Sequence, residues 1–452
     1  MIGKDLTKGS VAKTLFRFTI PFFVANFLHT LYGIVDMYIV GRFTDAKQLA
    51  SVTLGSAAMF FFNGLIMGLG SGATVLVGQI FGAKKEQDEQ ETVATIFSFF
   101  PMVAVFLLAA CQILTPVILR FLNAAPESWD GAVSYLRICS IGLIFSGFFF
   151  AIAGVLRGMG DSKGPTVFIA VATVFNIIGD YICVGPLHMG PAGAALATSA
   201  AQGLSVVLGY FYLRRHHFPF DFRPKSYHIY GDKLKKLLRI AIPTALQEVL
   251  TSISFLVMES IINKMGYVAT AAVGVCNRVF NLCILPANSF SAAIAAMVAQ
   301  NTGAGEYRRS RKTMWTGAAI GFVITLIFFA MLAISPESII GSFSKDENVI
   351  AAGASYMTFL KFDCLIFTIA FCINGYINGT GHTRYTMIVN LVASFAVRLP
   401  LVWLISRMAG ATLRQIGLGV PAASLVQLLV GIGFLLFAKS EREQREKLRA
   451  EL

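Results

Sequence analysis

Apolar runs long enough to cross a bilayer recur twelve times along the chain, separated by short polar, glycine-rich or basic stretches. They lie near residues 16–40, 52–80, 93–117, 132–156, 165–186, 191–213, 237–262, 270–300, 313–335, 352–377, 385–406 and 416–437. A spanning helix needs about 20 mainly apolar residues. Unpaired backbone amides cannot face lipid, so helices are the natural choice. The pattern therefore predicts an all-α membrane protein with twelve transmembrane helices. An even count puts both termini on one side. The longest polar interruption, 214–236, separates six spans in 1–213 from six in 237–438. The tail 439–452, KSEREQREKLRAEL, mixes both charges and reads as a solvated helix end.

The two halves repeat. LFRFTIP ends at Pro21 and LLRIAIP at Pro243, an offset of 222. Gln79-Ile-Phe-Gly-Ala matches Gln300-Asn-Thr-Gly-Ala, and Tyr135 matches Tyr356, both at 221. Arg157-Gly-Met-Gly-Asp-Ser-Lys matches Asn378-Gly-Thr-Gly-His-Thr-Arg at the same 221. Six spans per repeat insert both halves in the same orientation. Two six-helix lobes related by a pseudo-two-fold axis along the membrane normal are expected. Transporters often use this design, with a cavity between rocking lobes, but channels and membrane-embedded enzymes can also be duplicated.

Composition supports the membrane reading. Hydrophobic residues make up 56 % of the 452 and charged residues only 13 %, with a mean hydropathy of +0.69. A soluble domain carries about 25 % charge, and a disordered chain is far less apolar. The net charge of +13 could suggest nucleic acid, so the location of the cations decides. Of the 37 Lys and Arg residues, 26 fall on the side of the N-terminus, 7 in the opposite loops and 4 within spans. That bias places both termini in the cytoplasm of a plasma (inner) membrane protein. The partners expected are the bilayer and small molecules, with no nucleic acid, and a monomer is the expected state. The opening MIGKDLTKGSVAKTLFRF has no small-residue cleavage site, so the first helix is expected to stay.

Several chemistries fall away. The seven cysteines lie in apolar stretches without Cys-x-x-Cys or Cys/His spacing and read as small core hydrophobes. None of the six histidines has metal spacing, and only His29 is clearly inside a span. GAKK, RGMGDSKG, GAGEYRR and NGTGHTR lack Walker spacing. They read as tight helix-to-helix turns needing positive φ. No cofactor is expected, and without an ATP site the energy comes from an ion gradient or from substrate flow.

Ionisable groups at bilayer depth are costly and mark functional candidates. Asp36 lies in the first span and Asp180 in the fifth, with Asn176 one turn before Asp180 on the same face. Tyr135 in the fourth span and Thr198 in the sixth fall at similar depth. Two carboxylates facing a partly dry cavity can trade a proton. They can equally hold Na⁺ through carboxylate, amide and hydroxyl oxygens, at Asp36, Asn176 and Asp180. The bland alternative is a structural Asp36–Arg137 pair. In the second half, Gln247, Glu248, Arg278 and Arg398 are candidate substrate contacts, and Glu248–Arg398 is a candidate pair. Lys361 and Asp363 sit near a span end, where snorkelling to the surface is the simplest expectation. Glu259 is expected at the interface.

These residues together resemble a family. IP-x(14)-DMYIVGR, VGQIFGAKK, LRGMGDSK, NIIGDYI and GPAGAALATSAAQ, in this order, are similar to the multidrug and toxic compound extrusion (MATE) transporters over about residues 10–440. The resemblance implies a secondary antiporter that expels organic cations or amphipathic drugs in exchange for H⁺ or Na⁺. Asp36, Asn176 and Asp180 resemble the DinF-like and MepA-like branch, where Tyr135 and Thr198 match residues of the coupling cluster. Pro21 matches the proline at which that branch is proposed to bend its first helix. The aspartate of the NorM-like branch would align near Phe367, so a second-half sodium site is not expected. Two other readings compete. A lipid-linked oligosaccharide flippase of the same superfamily needs a basic cavity, for which only Arg137, Arg278 and Arg398 are at hand. An intramembrane enzyme needs a nucleophile–base or metal cluster.

Overall fold

A computed structural model describes residues 3–216, 218, 220–408 and 410–450, with 438–450 as backbone only. Helices dominate. The first half folds as α1 (Val11–Phe43), α2 (Ala46–Gly82), α3 (Glu86–Phe121), α4 (Pro126–Gly158), α5 (Lys163–Val184) and α6 (Gly190–Arg215). The second follows with α7 (Gly231–Asn263), α8 (Tyr267–Gly303), α9 (Tyr307–Ile334), short α10 (Pro336–Gly341) and α11 (Glu347–Gly379). Then come α12 (Thr383–Leu391), a π-helical segment Val392–Arg398, α13 (Leu399–Ser406), α14 (Leu413–Ile416) and α15 (Gly419–Ala450). Among the described residues twelve helices are long and apolar enough to cross a membrane, and none of those residues is in a strand. The eleventh crossing is Thr383–Ser406, with the π segment at its middle. The tail runs on as helix to Ala450. Its side chains, residues 451–452 and His217 lie outside the described residues.

The glycine segments are turns. Gly160, Gly305 and Gly381 take φ of +90°, +77° and +89°, where a side chain would be strained. In GAKK the positive φ falls on Lys84. Lys84 and Gly305 are 221 apart, so the turn itself repeats.

Two compact units form, and they are not the repeat halves. Unit 1 holds Met1–Val249 with Ala296–Ser310, and unit 2 holds Leu250–Ala295 with Arg311–Leu452. In unit 1, α2 and α4 pack through small residues. A Cβ on Gly154 would lie 2.9 Å from the Gly70 carbonyl oxygen, and one on Gly158 would lie 2.8 Å from that of Thr74. Small residues four apart let backbones approach in lipid, where apolar area drives little association. The start of α7 and the end of α8 join this unit through backbone-close packing and polar bonds. A Cβ on Gly72 would meet Ala241 Cα at 2.5 Å. Buried Gln300 accepts from the Leu6 amide (2.9 Å) and donates to the Gly158 carbonyl (2.8 Å). Arg309 donates to the carbonyls of Leu6, Lys8 and Gly9. The linker is fastened by Lys233, which pairs with Asp88, Glu91 and Asp232, and by Phe220 and Phe222, whose rings lie against Phe97. Unit 2 has its own core, centred on buried Met258, Cys276, Tyr356, Leu360 and Val402.

Candidate ion-coupling site

The polar groups of the first half converge inside unit 1. Asp36 of α1 and Asp180 of α5 are 5 % and 0 % exposed. Their carboxyls face each other within hydrogen-bonding reach. Asn176, one turn before Asp180, is also buried. With its amide nitrogen turned to the carboxylate, it donates to Asp180 Oδ2 (2.9 Å) and accepts from the Thr198 backbone N–H (3.2 Å). That orientation is assigned from the hydrogen-bond network, because it satisfies both neighbours. Thr198 of α6 and Tyr32 of α1 share a hydroxyl–hydroxyl bond of 2.9 Å. Tyr135 of α4 bonds Ser56 of α2 at 3.0 Å. The glycine at 55 makes room for that ring, since a Cβ there would lie 2.3 Å from Tyr135 Cδ1. Among the described residues, one oxygen of each carboxyl has no hydrogen-bond partner.

Five helices thus supply one cluster. Asp36, Asn176, Asp180 and Thr198 come together as the spacing suggested, with Tyr135 at its edge. Tyr32 and Ser56 are additions. Tyr32 precedes Asp36 by four, the same spacing that joined Asn176 to Asp180, so the signal was present. Ser56 carried none, because serine is ordinary in a span. Arg137 is exposed on α4 and does not answer Asp36, which faces Asp180 instead. Beside the cluster's helix, Ser162 just before α5 and Thr166 within it donate to the carbonyls of Phe18 and Pro21 (3.0 and 2.9 Å), pinning α1 around its proline.

The second-half candidates are dispersed. Gln247 is buried and Glu248 half-buried, both on the part of α7 in unit 1. Arg278 is exposed on α8 of unit 2. Arg398, 4 % exposed, ends the π segment, donates to Ser394 and stacks 4.1 Å from the Phe255 ring centroid. Glu259 is exposed and accepts from Asn277 (3.3 Å). One expectation is corrected. Asp363 does not snorkel; it is 0 % exposed, and among the described residues neither of its carboxyl oxygens has a hydrogen-bond partner. Two residues along a helix turn about 200°, so Lys361, half-buried beside Phe362, takes the other side. The seven cysteines are free, six buried and Cys183 half-buried. Among the described residues no group of three or more His, Cys, Asp or Glu could hold a metal ion.

Twelve spans in two repeats, with a buried carboxylate cluster in the first, define a transporter type of membrane protein. The MatE family model matches the chain twice, at residues 21–182 and 243–404, and the chain belongs to this family of multidrug efflux transporters. It is similar to the probable multidrug resistance protein YoeA of Bacillus subtilis, 27 % identical over 98 % of this chain and 97 % of that one. The multidrug export protein MepA of Staphylococcus haemolyticus is 22 % identical over 90 % and 89 %. Among solved structures, a MATE protein in complex with MaL6 superposes with a TM-score of 0.92 at 20 % identity, covering 98 % of this chain and all of that one. An outward-facing multidrug resistance MATE transporter gives 0.91, also at 20 % identity, over 98 % and 99 %. These relatives and neighbours are transporters, not enzymes, which removes the enzyme reading.

Proposed function

We propose that the protein is an antiporter that exports organic cations and amphipathic drugs in exchange for H⁺ or Na⁺. The observation that carries this reading is the facing pair Asp36 and Asp180, held in a buried shell of amide and hydroxyl groups. Two carboxylates so close and so dry cannot both carry bare charge cheaply. One shared proton relieves the repulsion. A sodium ion would do so too, through carboxylate oxygens with Asn176 and Thr198 beside them. Loss of that cation drives the carboxyls apart, and Asp36 rides on α1, whose proline region takes hydroxyl bonds from Ser162 and Thr166. Ion release is thereby tied to movement of a helix. The repeat halves 1–213 and 237–438 act as rocking lobes joined by 214–236. In this reading the chain works as a monomer in the plasma membrane, with both termini cytoplasmic. The flippase alternative loses support, since Arg398 has polar and ring partners within its own unit.

The test is dye efflux in everted vesicles energised by ΔpH or by Na⁺, with Asp36→Asn and Asp180→Asn. Either change should abolish ion-driven efflux while the protein still inserts. Full activity in both variants would remove the coupling role of the cluster.

A further inference from the structure

The eleventh crossing carries a polar face inside unit 2. Thr386, Asn390, Ser394 and Arg398 follow one another at steps of four and are buried, at 0 %, 4 %, 1 % and 4 % exposure. Steps of four drift by about 40° each around an α-helix. The π segment Val392–Arg398 winds more residues into a turn through i→i+5 bonding and so holds the later members in line. It also explains the repeat register. The two family matches are offset by 222 at both ends, whereas the offset between Gln79 and Arg157 is 221. The second half therefore gains one residue beyond Asn378, and the π segment takes it up. At the offset of 221, Pro165 and Ile169 stand where Thr386 and Asn390 are, and Ala153 stands where Asn374 is. The first half is apolar at all three positions.

Side chains of α11 and α15 meet this face and make it a seam. Thr386 donates to Asn378 Oδ1 of α11 (2.6 Å), and Asn390 donates to the Thr386 carbonyl (2.8 Å). Gln427 of α15 donates to Asn390 Oδ1 (2.7 Å), and Arg398 donates to Ser394 (2.5 Å). On α11, Asn374 and Asp363 lie within about 20° of one line. A Cβ on Gly417 would lie 2.6 Å from the Tyr356 carbonyl oxygen, and one on Gly431 would lie 3.0 Å from Ile373. Ser424, midway between those glycines, therefore stands near the level of Asp363, which lies between Tyr356 and Ile373. Toward the turn after α11 the seam reaches the surface, where Asn378 is half-buried and His382 exposed. Among the described residues, five side-chain atoms along it have no hydrogen-bond partner: Asn374 Nδ2, Arg398 Nε, Gln427 Oε1 and both oxygens of Asp363. The four residues are 3 %, 4 %, 8 % and 0 % exposed.

We propose that this seam binds a file of water molecules, running from the turn at His382 to the carboxyl of Asp363. Buried polar groups without partners are expensive, and so many in one place call for a ligand. The mixture of groups selects it. Asn374 Nδ2 and Arg398 Nε donate, while Gln427 Oε1 and the Asp363 oxygens accept. A cation would face the guanidinium and the amide N–H, and an anion would face the carboxyl oxygens. Water donates and accepts at once, and a buried water makes about 3 hydrogen bonds. Four residues of helix rise about 6 Å, a gap that bridging water spans. The second half thus holds an aqueous track to the depth of Asp363, which the first half lacks. The inference does not use the coupling reading of Asp36 and Asp180, so either can fail without the other.

The experiment is hydroxyl-radical footprinting of the full-length protein in lipid nanodiscs. Radicals made from water by a brief X-ray pulse oxidise side chains that touch water, buried or not, and mass spectrometry reads each site. Ser394→Cys and Ser424→Cys place a thiol in the seam with little change of shape. Native Cys372 is the internal reference. It is 0 % exposed on α11, two residues from Asn374 and so about 200° round the helix. Each reporter thiol should oxidise several-fold faster than Cys372 in the same molecule. Adding Asn374→Leu and Gln427→Leu, which removes two of the unanswered atoms and fills their space, should bring the reporters down to the Cys372 rate. Reporters that match Cys372 without the leucines would overturn the proposal, and this comparison holds even if the leucine variant does not fold. A folded leucine variant whose reporters stay fast would overturn it as well.

Discussion

Tyr32 tests the cluster without removing a charge. Its hydroxyl meets that of Thr198, whose backbone N–H donates to Asn176, the donor to Asp180. A neutral hydrogen bond of this kind contributes about 0.5–1.5 kcal/mol, which is roughly a 2–10-fold change in an equilibrium constant. Tyr32→Phe should shift the ion concentration for half-maximal efflux by about that factor and leave maximal efflux near normal. An unchanged half-point would detach Tyr32 from coupling. Gly55 acts through space alone. Gly55→Ala drives a Cβ into the Tyr135 ring, and overpacking of this kind costs about 1–3 kcal/mol. A lowered melting temperature is expected, recovered in part by adding Tyr135→Leu; no change in either protein would refute the packing argument. The sequence exposed the charged members of this site, because an aspartate in a long apolar run stands out. It could not expose Ser56 or Gly55, whose roles exist only once α2 lies against α4. Asp363 was misjudged because depth along a span says nothing about the direction a side chain takes.

At the scale of elements, the segment before α1 carries more structure than its polar sequence suggests. Leu6 is fully buried. Its amide is received by Gln300 at the end of α8, which also holds the carbonyl at the end of α4. Gln300→Ala leaves these backbone groups unanswered, at a cost of about 1–3 kcal/mol. The segment should then become cleavable. Limited proteolysis in detergent should cut before residue 11 faster in Gln300→Ala than in the parent protein, and equal rates would show that Arg309 suffices. The spans themselves were legible, since twenty apolar residues have few other uses. The π segment was not. One added residue in a helix leaves no mark in hydrophobic periodicity, and it is visible only as a repeat offset that moves from 221 back to 222.

For the whole molecule, the charge that first suggests nucleic acid becomes an argument about orientation. Twenty-six cations share the side of the N-terminus, and eight of them lie in and beside the long linker. Basic loops resist translocation, so that linker should face the cytoplasm and the loop after α10 the outside. Lys225 and Ser342 are both exposed and mark these two places. Lys225→Cys should react with a membrane-impermeant maleimide only in everted vesicles, and Ser342→Cys only in intact cells. The parent protein is the blank, because six of its cysteines are buried and Cys183 is half-buried. Labelling of both positions from one side would break the twelve-span count. Labelling with the sides exchanged would keep the count and reverse the protein, which would turn the proposed export into import.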